Sequence, residues 1–457
     1  METDVRQYLA ANHDRYLAEL IEFASIPSVS TDAAYQAGME TAARWVADQL
    51  ATAGVANVQI LPTARHPIVY GDWLGAHGAP TILVYGHYDV QPPDPLDQWQ
   101  SPPFTPVVRN GRLYGRGVSD DKGPMFIALK VAEAYLATQG ALPVNVKFLF
   151  EGEEEIGSPS LEAFIDANRE RLQADFALSA DGAMWRIDEP SITVASRGMM
   201  GLEFSLTTAG KDLHSGRHGG AVPNALHAMA ELVATLHTPA GRVAVEGFYE
   251  DVAELTPEER ASLVALPFDE AGYLAQTGAE RTLGEPGYTT LERLWARPTL
   301  EVNGMWGGYQ GPGSKTVIPH VAHAKITCRL VANQQPATIA ARVMEHLEHH
   351  TPPGARLAIH RDRHDALPYQ IPGDHPGLRT ARAVLAGVYG QEALQVRMGG
   401  TLPVSELFLR LLGIYTVFFS FSTADEDFHA PNEFFRIHRL HEGLAAWANY
   451  WARLASA

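Results

Sequence analysis

The feature that most constrains this chain is a series of short apolar runs, each ending at a histidine or an acid. Residues 81–85 (TILVY) show no alternation of apolar and polar side chains. Both faces of such a strand must be covered, as in a parallel sheet with helices on either side. Residues 55–60, 144–150 and 176–180 are further strand candidates. Residues 124–138 lie between two of them, with helical length and few charges, and read as a helix packed on the sheet. Strand, helix and strand in this order make an α/β layer.

The pattern changes near Arg197. Leu202, Phe204 and Leu206 alternate with Glu203, Ser205 and Thr207, which marks a half-buried strand. A helix after Pro223, strands near Leu300 and at 323–331, a helix at 336–349 and a strand at 356–360 complete a β-α-β-β-α-β order, which is ferredoxin-like. Residues 241–298 interrupt it as an acidic insertion of helical composition. The first pattern resumes at about 372, with a helix at 377–389, a strand at 414–421 and an amphipathic helix at 440–454. The expected fold is therefore α/β. A mostly parallel sheet flanked by helices is built from residues 1–196 and 372–457, with an inserted α+β ferredoxin-like domain at 197–371.

Composition removes several function classes. The 457 residues carry 35 Lys plus Arg against 53 Asp plus Glu, a net charge of −18, without the basic footprint of a nucleic-acid binder. The single cysteine, Cys328, excludes an internal disulfide and a cysteine-based zinc site. The first 20 residues are studded with charges and hold no signal-peptide core. No apolar run reaches the roughly 18 residues of a membrane span. The expected location is the cytosol.

In open α/β sheets, ligands gather at the carboxyl ends of strands. His87 and Asp89 follow the run at 81–85, Glu151 to Glu155 follow that at 144–150, Asp181 follows that at 176–180, and His429 lies beyond 414–421. Asp120 and Asp121 stand just before the buried helix. Taken singly, each has a structural reading as a turn, a cap or a solvated acid. Together they mass carboxylates on one rim, where they repel one another unless a cation intervenes. Imidazole and carboxylate suit zinc or manganese. Two histidines and three or more acids exceed the three protein ligands of one catalytic zinc, so a shared carboxylate and two ions are expected. Adjacent Glu154 and Glu155 then divide into a general base and a ligand, and Asp89 can orient His87.

These residues fall in motifs: GHYDVQP at Gly86, GRGVSDDKGP at Gly115, EGEEEIGS at Glu151, KDLHSG at Lys211, GPGSKTVIP at Gly311, RLVANQ at Arg329 and GGTLPV at Gly399. In this order they resemble the dinuclear zinc peptidases and deacylases that include carnosinase, cytosolic nonspecific dipeptidase, glutamate carboxypeptidase and aminoacylase. The dipeptidase branch is the nearest match, and the resemblance runs from about Ala24 onward. It implies a metallopeptidase with two divalent ions, zinc or manganese, that cleaves dipeptides or short peptides with a free terminal carboxylate. His87 and Asp181 would hold one ion, Glu155 and His429 the other, and Asp120 would bridge them through a residue whose bond to Asp121 is cis. Glu154 would be the general base and Asp89 the orienting residue. The inserted domain would serve as lid and dimerisation domain of a homodimer. There His214 would reach the partner subunit's site to stabilise the oxyanion, and Arg329 would grip the substrate carboxylate. Thr316, His364, Gly399, Gly400 and Thr401 would make further substrate contacts.

Two positions depart from the branch. Met398 stands where it typically has Glu, and Thr401 where it has Ser. If that Glu helps hold a free amino group, Met398 keeps a second activity open: deacylation of N-acyl amino acids by the same chemistry.

Overall fold

The run at 81–85 lies in the middle of its sheet. A computed structural model describes residues 2–456, the side chains of residues 2 and 362–364 excepted. Strand Thr81–His87 is buried from Ile82 onward. On either side of it run Asn145–Glu151 and Phe176–Ser179, both parallel to it, and Thr416–Phe418 adds a fourth parallel strand beyond Phe176–Ser179. Ile68–Trp73 and Ala56–Leu61 extend the other edge as antiparallel strands. The helix of low charge spans Lys122–Gln139, is buried along most of its length, and stops at Gly140, whose φ of 68° suits a residue without Cβ. Helices Gln36–Ala53 and Ile437–Leu454 pack against it.

By its contacts the chain divides into two compact units. The first comprises residues up to Val194, Ile371–Val396 and residues from Leu407 on. The second is Ala195–Gln370 with Arg397–Glu406, so that a short piece from late in the sequence joins the inserted unit.

The second unit is a four-stranded antiparallel sheet with Thr299–Gly307 at one edge, then Val321–Leu330, Gly198–Thr207 and Arg356–Ala366. With helices Ala225–Ala234 and Pro336–His349 this is the β-α-β-β-α-β arrangement. Residues Met200, Leu202, Phe204, Leu206, Ile326 and Cys328 point to the helices and share one core with Met229, Leu232, Ile339 and Val343. Burial of Cys328 pushes its thiol above the usual range, so it is inert as a nucleophile.

Two local expectations need correction. Residues 241–298 are less helical than their composition suggests: only Pro257–Val264, Glu270–Thr277 and Thr290–Trp295 form helices there. Pro267, Gly278, Gly284, Pro286 and Gly287 punctuate the rest. The segment is pinned by Arg297, which donates bidentately to Glu285 at 2.7 and 3.0 Å. The run at 414–421 is a strand only over Thr416–Phe418. Beyond it the chain stays buried but leaves the ladder.

Candidate metal centre

Strand register builds the site. His87 pairs with Glu151 at the ends of their parallel strands, and Tyr85 pairs with Ser179, two residues before Asp181. Asp120 comes from the loop before helix Lys122–Gln139, and its bond to Asp121 is cis. His429 sits on a loop with φ of 59°. These elements bring His87, Asp120 and Asp181 together as one group of donor atoms and Asp120, Glu155 and His429 as another, with all atoms of each group within 4.8 Å of one another. Asp120 belongs to both, one oxygen 3.1 Å from His87 Nε2 and the other 3.0 Å from His429 Nε2. His429 Nε2 is also 3.2 Å from Glu155.

The electrostatics fit a pair of cations. Burial opposes ionisation of Asp120, but hydrogen bonds from His429 and His87 hold its carboxyl well below the usual range. Burial, reinforced by Asp120 and Glu155, pushes Asp181 up to about 6. Burial and the neighbouring acids also raise Glu154 and Glu155. His429 rises to about 10 through its hydrogen bonds to Asp120 and Glu155. Burial alone would lower His87, yet bonds to Asp120 and Asp89 hold it well above its ordinary value. A desolvated set of mutually repelling oxygens with two imidazoles is the donor chemistry of a divalent-ion site.

Surrounding residues fix these groups. His87 Nδ1 lies 3.1 Å from the Asp89 carbonyl and 3.4 Å from its carboxylate. That carboxylate also accepts the backbone N–H groups of Glu154 and Glu155 at 3.2 and 3.1 Å, so Asp89 holds two parts of the site at once. Gln91 donates to Glu155 Oε2 at 2.8 Å. Asp121 accepts the His87 N–H at 3.2 Å across Gly86, where a Cβ would stand 2.7 Å from the same carboxylate oxygen. Glu153 is an anchor for its turn, accepting from Thr63, the His66 N–H and the Ser160 N–H.

Sequence reasoning missed Glu433. It is buried and accepts the N–H groups of Gly117, Ser119 and Asp120 at 2.8, 3.0 and 3.2 Å, together with Arg116 Nη1 at 2.8 Å. It thereby holds the loop that presents Asp120 from 313 positions away in the chain, and no local spacing could reveal it. Glu433→Gln should cost about 3–5 kcal/mol, because it leaves Arg116 buried with a neutral partner. Denaturant melting checks this, and an unchanged midpoint would refute it.

The remaining candidates lie in the second unit. His214 ends the two-residue strand Leu213–His214; its ring is exposed and accepts the Gly216 N–H at 3.0 Å. The Thr316 carbonyl accepts the Ser215 N–H at 3.1 Å on the neighbouring segment. Arg329 Nη1 donates to Thr401 Oγ1 at 3.0 Å. The Gly399 carbonyl accepts from Arg197 Nε at 2.8 Å, and the Gly400 carbonyl from the Arg197 N–H at 3.0 Å. Arg197 was not singled out from the sequence. The His364 side chain lies outside the described residues.

Residues 83–453 match the profile of Peptidase family M20/M25/M40. The chain belongs to this family. Over 97% of its length, the M20 enzyme is 30% identical to the Cys-Gly metallodipeptidase dug1 of Schizosaccharomyces pombe, covering 96% of that protein. It is 28% identical to the Beta-Ala-His dipeptidase of Homo sapiens, over 99% of this chain and 92% of that one. Among solved structures, the M20 family metallo-carboxypeptidase Sso-CP2 from Sulfolobus solfataricus superposes with a TM-score of 0.80 at 32% identity, covering 97% of this chain and 99% of that one. By family, the protein is a metallopeptidase. No described helix is long and apolar enough to cross a membrane.

Proposed function

We propose that this M20 enzyme is a dinuclear dipeptidase, cleaving the amide bond of dipeptides or short peptides that end in a free carboxylate. The observation that carries the reading is the double membership of Asp120 in two donor triads, with Glu154 beside them. Its similarity to a Cys-Gly metallodipeptidase and a Beta-Ala-His dipeptidase supports the substrate class.

His87, Asp120 and Asp181 would hold one ion and Asp120, Glu155 and His429 the other, zinc or manganese by the nature of the donors. When bound, the ions supply Lewis acidity that polarises the scissile carbonyl and lowers the pKa of water. Glu154 takes the proton of the attacking water on its carboxylate and later delivers it to the leaving amine. Asp89 keeps the His87 ring oriented and the Glu154–Glu155 backbone in place. His214 donates to the oxyanion, in the partner subunit's site of a homodimer, and Arg329 pairs with the terminal carboxylate. The hydroxyls of Thr316 and Thr401, the imidazole of His364 and the Gly399–Gly400 turn add substrate contacts. The cytosol is the proposed location.

Met398 favours one second reading, deacylation of N-acyl amino acids, because an acylated substrate presents no amino group to be held. Enzyme stripped and reloaded with zinc or manganese should turn over free dipeptides in preference to matched N-acetyl amino acids. The opposite preference would replace the dipeptidase reading by the deacylase one.

A further inference from the structure

The second unit contains a cavity of about 420 Å³, within the range of small-ligand pockets. Its floor is the sheet face turned away from the core helices, with Thr299, Glu301, Thr327 and Arg329, and its walls come from the insertion. Arg197, Arg293, Arg297 and Arg329 line it, against two acids, Glu285 and Glu301. Arg297 and Glu285 satisfy each other bidentately and form wall. The other three arginines donate to uncharged oxygens: Arg197 to the Gly399 carbonyl, Arg293 to the Tyr288 carbonyl at 3.0 Å and Arg329 to the Thr401 hydroxyl. Three guanidinium charges thus stand against one exposed carboxylate, that of Glu301.

We infer that this cavity is an anion pocket, built from Arg197, Arg293 and Arg329, for an acidic side chain on the C-terminal residue of the substrate. The inference rests on the proposed function in one respect, that Arg329 takes the terminal carboxylate. A side chain on the same α-carbon then projects beside Arg329, into the cavity that Arg329 lines. A second carboxylate there meets planar, forked donors that match its geometry. Burial and the nearby Arg329 charge depress Arg197 to about 10, a crowding of cations that an anion would relieve. A lysine or arginine side chain would meet like charge.

The test uses zinc-loaded enzyme and the isosteric pair Ala-Glu and Ala-Gln. Charge-assisted hydrogen bonds of this kind should raise kcat/KM for Ala-Glu over Ala-Gln by about tenfold or more, mainly through KM. Arg293→Gln should bring the two near parity, chiefly by lowering kcat/KM for Ala-Glu. Calorimetric titration with L-glutamate and L-glutamine reads the pocket without catalysis, and L-glutamate should bind more tightly. Equal or reversed preference, with Ala-Gln hydrolysed well, overturns the pocket and leaves the dipeptidase reading intact. Turnover of N-acetyl amino acids alone overturns the dipeptidase reading instead. The pocket is then decided by N-acetyl-glutamate against N-acetyl-glutamine and by the titration.

Discussion

Asp120→Asn should lose both metal ions and nearly all activity. One carboxylate supplies an oxygen to each donor triad, so its neutralisation would leave each proposed ion site two charged or imidazole donors, His87 with Asp181 and Glu155 with His429. His87→Ala touches one triad only and should empty one site before the other. Loss of Lewis acidity worth about 5 kcal/mol corresponds to a fall in kcat of about 10⁴-fold. Metal analysis of the purified variants, beside the unaltered protein, is the direct measurement. Asp120→Asn protein that retained two tightly bound ions would contradict the shared-ligand arrangement.

Glu154→Gln should separate metal binding from chemistry. Glu154 lies outside both donor triads, so metal content should equal that of the unaltered protein. The amide can neither take a proton from water nor return one to the leaving amine, and general acid–base work of this kind contributes typically about 10²–10⁴-fold. The loss should fall on kcat and leave KM little changed, since the substrate is held elsewhere. Activity near that of the unaltered protein would remove Glu154 from the mechanism. A matching fall in bound metal would recast it as a ligand.

How far the molecule can be read from its residues depends on where the relevant partner lies. The strand at 81–85 was legible because burial on both faces leaves no room for alternation, and its residues show none; that at 144–150 was marked by its apolar end, Phe148 to Phe150, although Asn145 and Lys147 interrupt its start. Strand Ile68–Trp73 was not, because Gly71 and Asp72 break its apolar run. Asp72 is tolerated inside because Asn57 and the Tyr70 hydroxyl both donate to it at 2.8 Å. Residues 419–421 misled in the opposite sense. Their apolarity reports burial, but the Phe419 N–H still reaches Ser179 while Trp447 donates to the Phe419 carbonyl at 3.0 Å, and the ladder ends.

The donor groups were legible for a topological reason. Strand ends in such a sheet face one rim, so the residues just past each strand are also the residues that can meet there. Their supports were not. Glu433 is one acid among many until its three backbone donors are seen. Lys122 reads as a turn residue, yet it is buried and donates to the carbonyls of Phe23 and Ile26 at 3.2 and 2.7 Å. Arg197 shows no pattern at all. Its importance lies in holding a turn 202 residues later.

The 309 positions that separate Asp120 from His429 also set an order of events during synthesis. At about 5–20 residues per second, a ribosome takes roughly 15–60 s to travel from one to the other. The first triad emerges with the early strands, while His429 and the brace at Glu433 follow only after the whole inserted unit has been made. A nascent chain therefore carries four of the five donor residues early, and the second triad is complete only once His429 has been made.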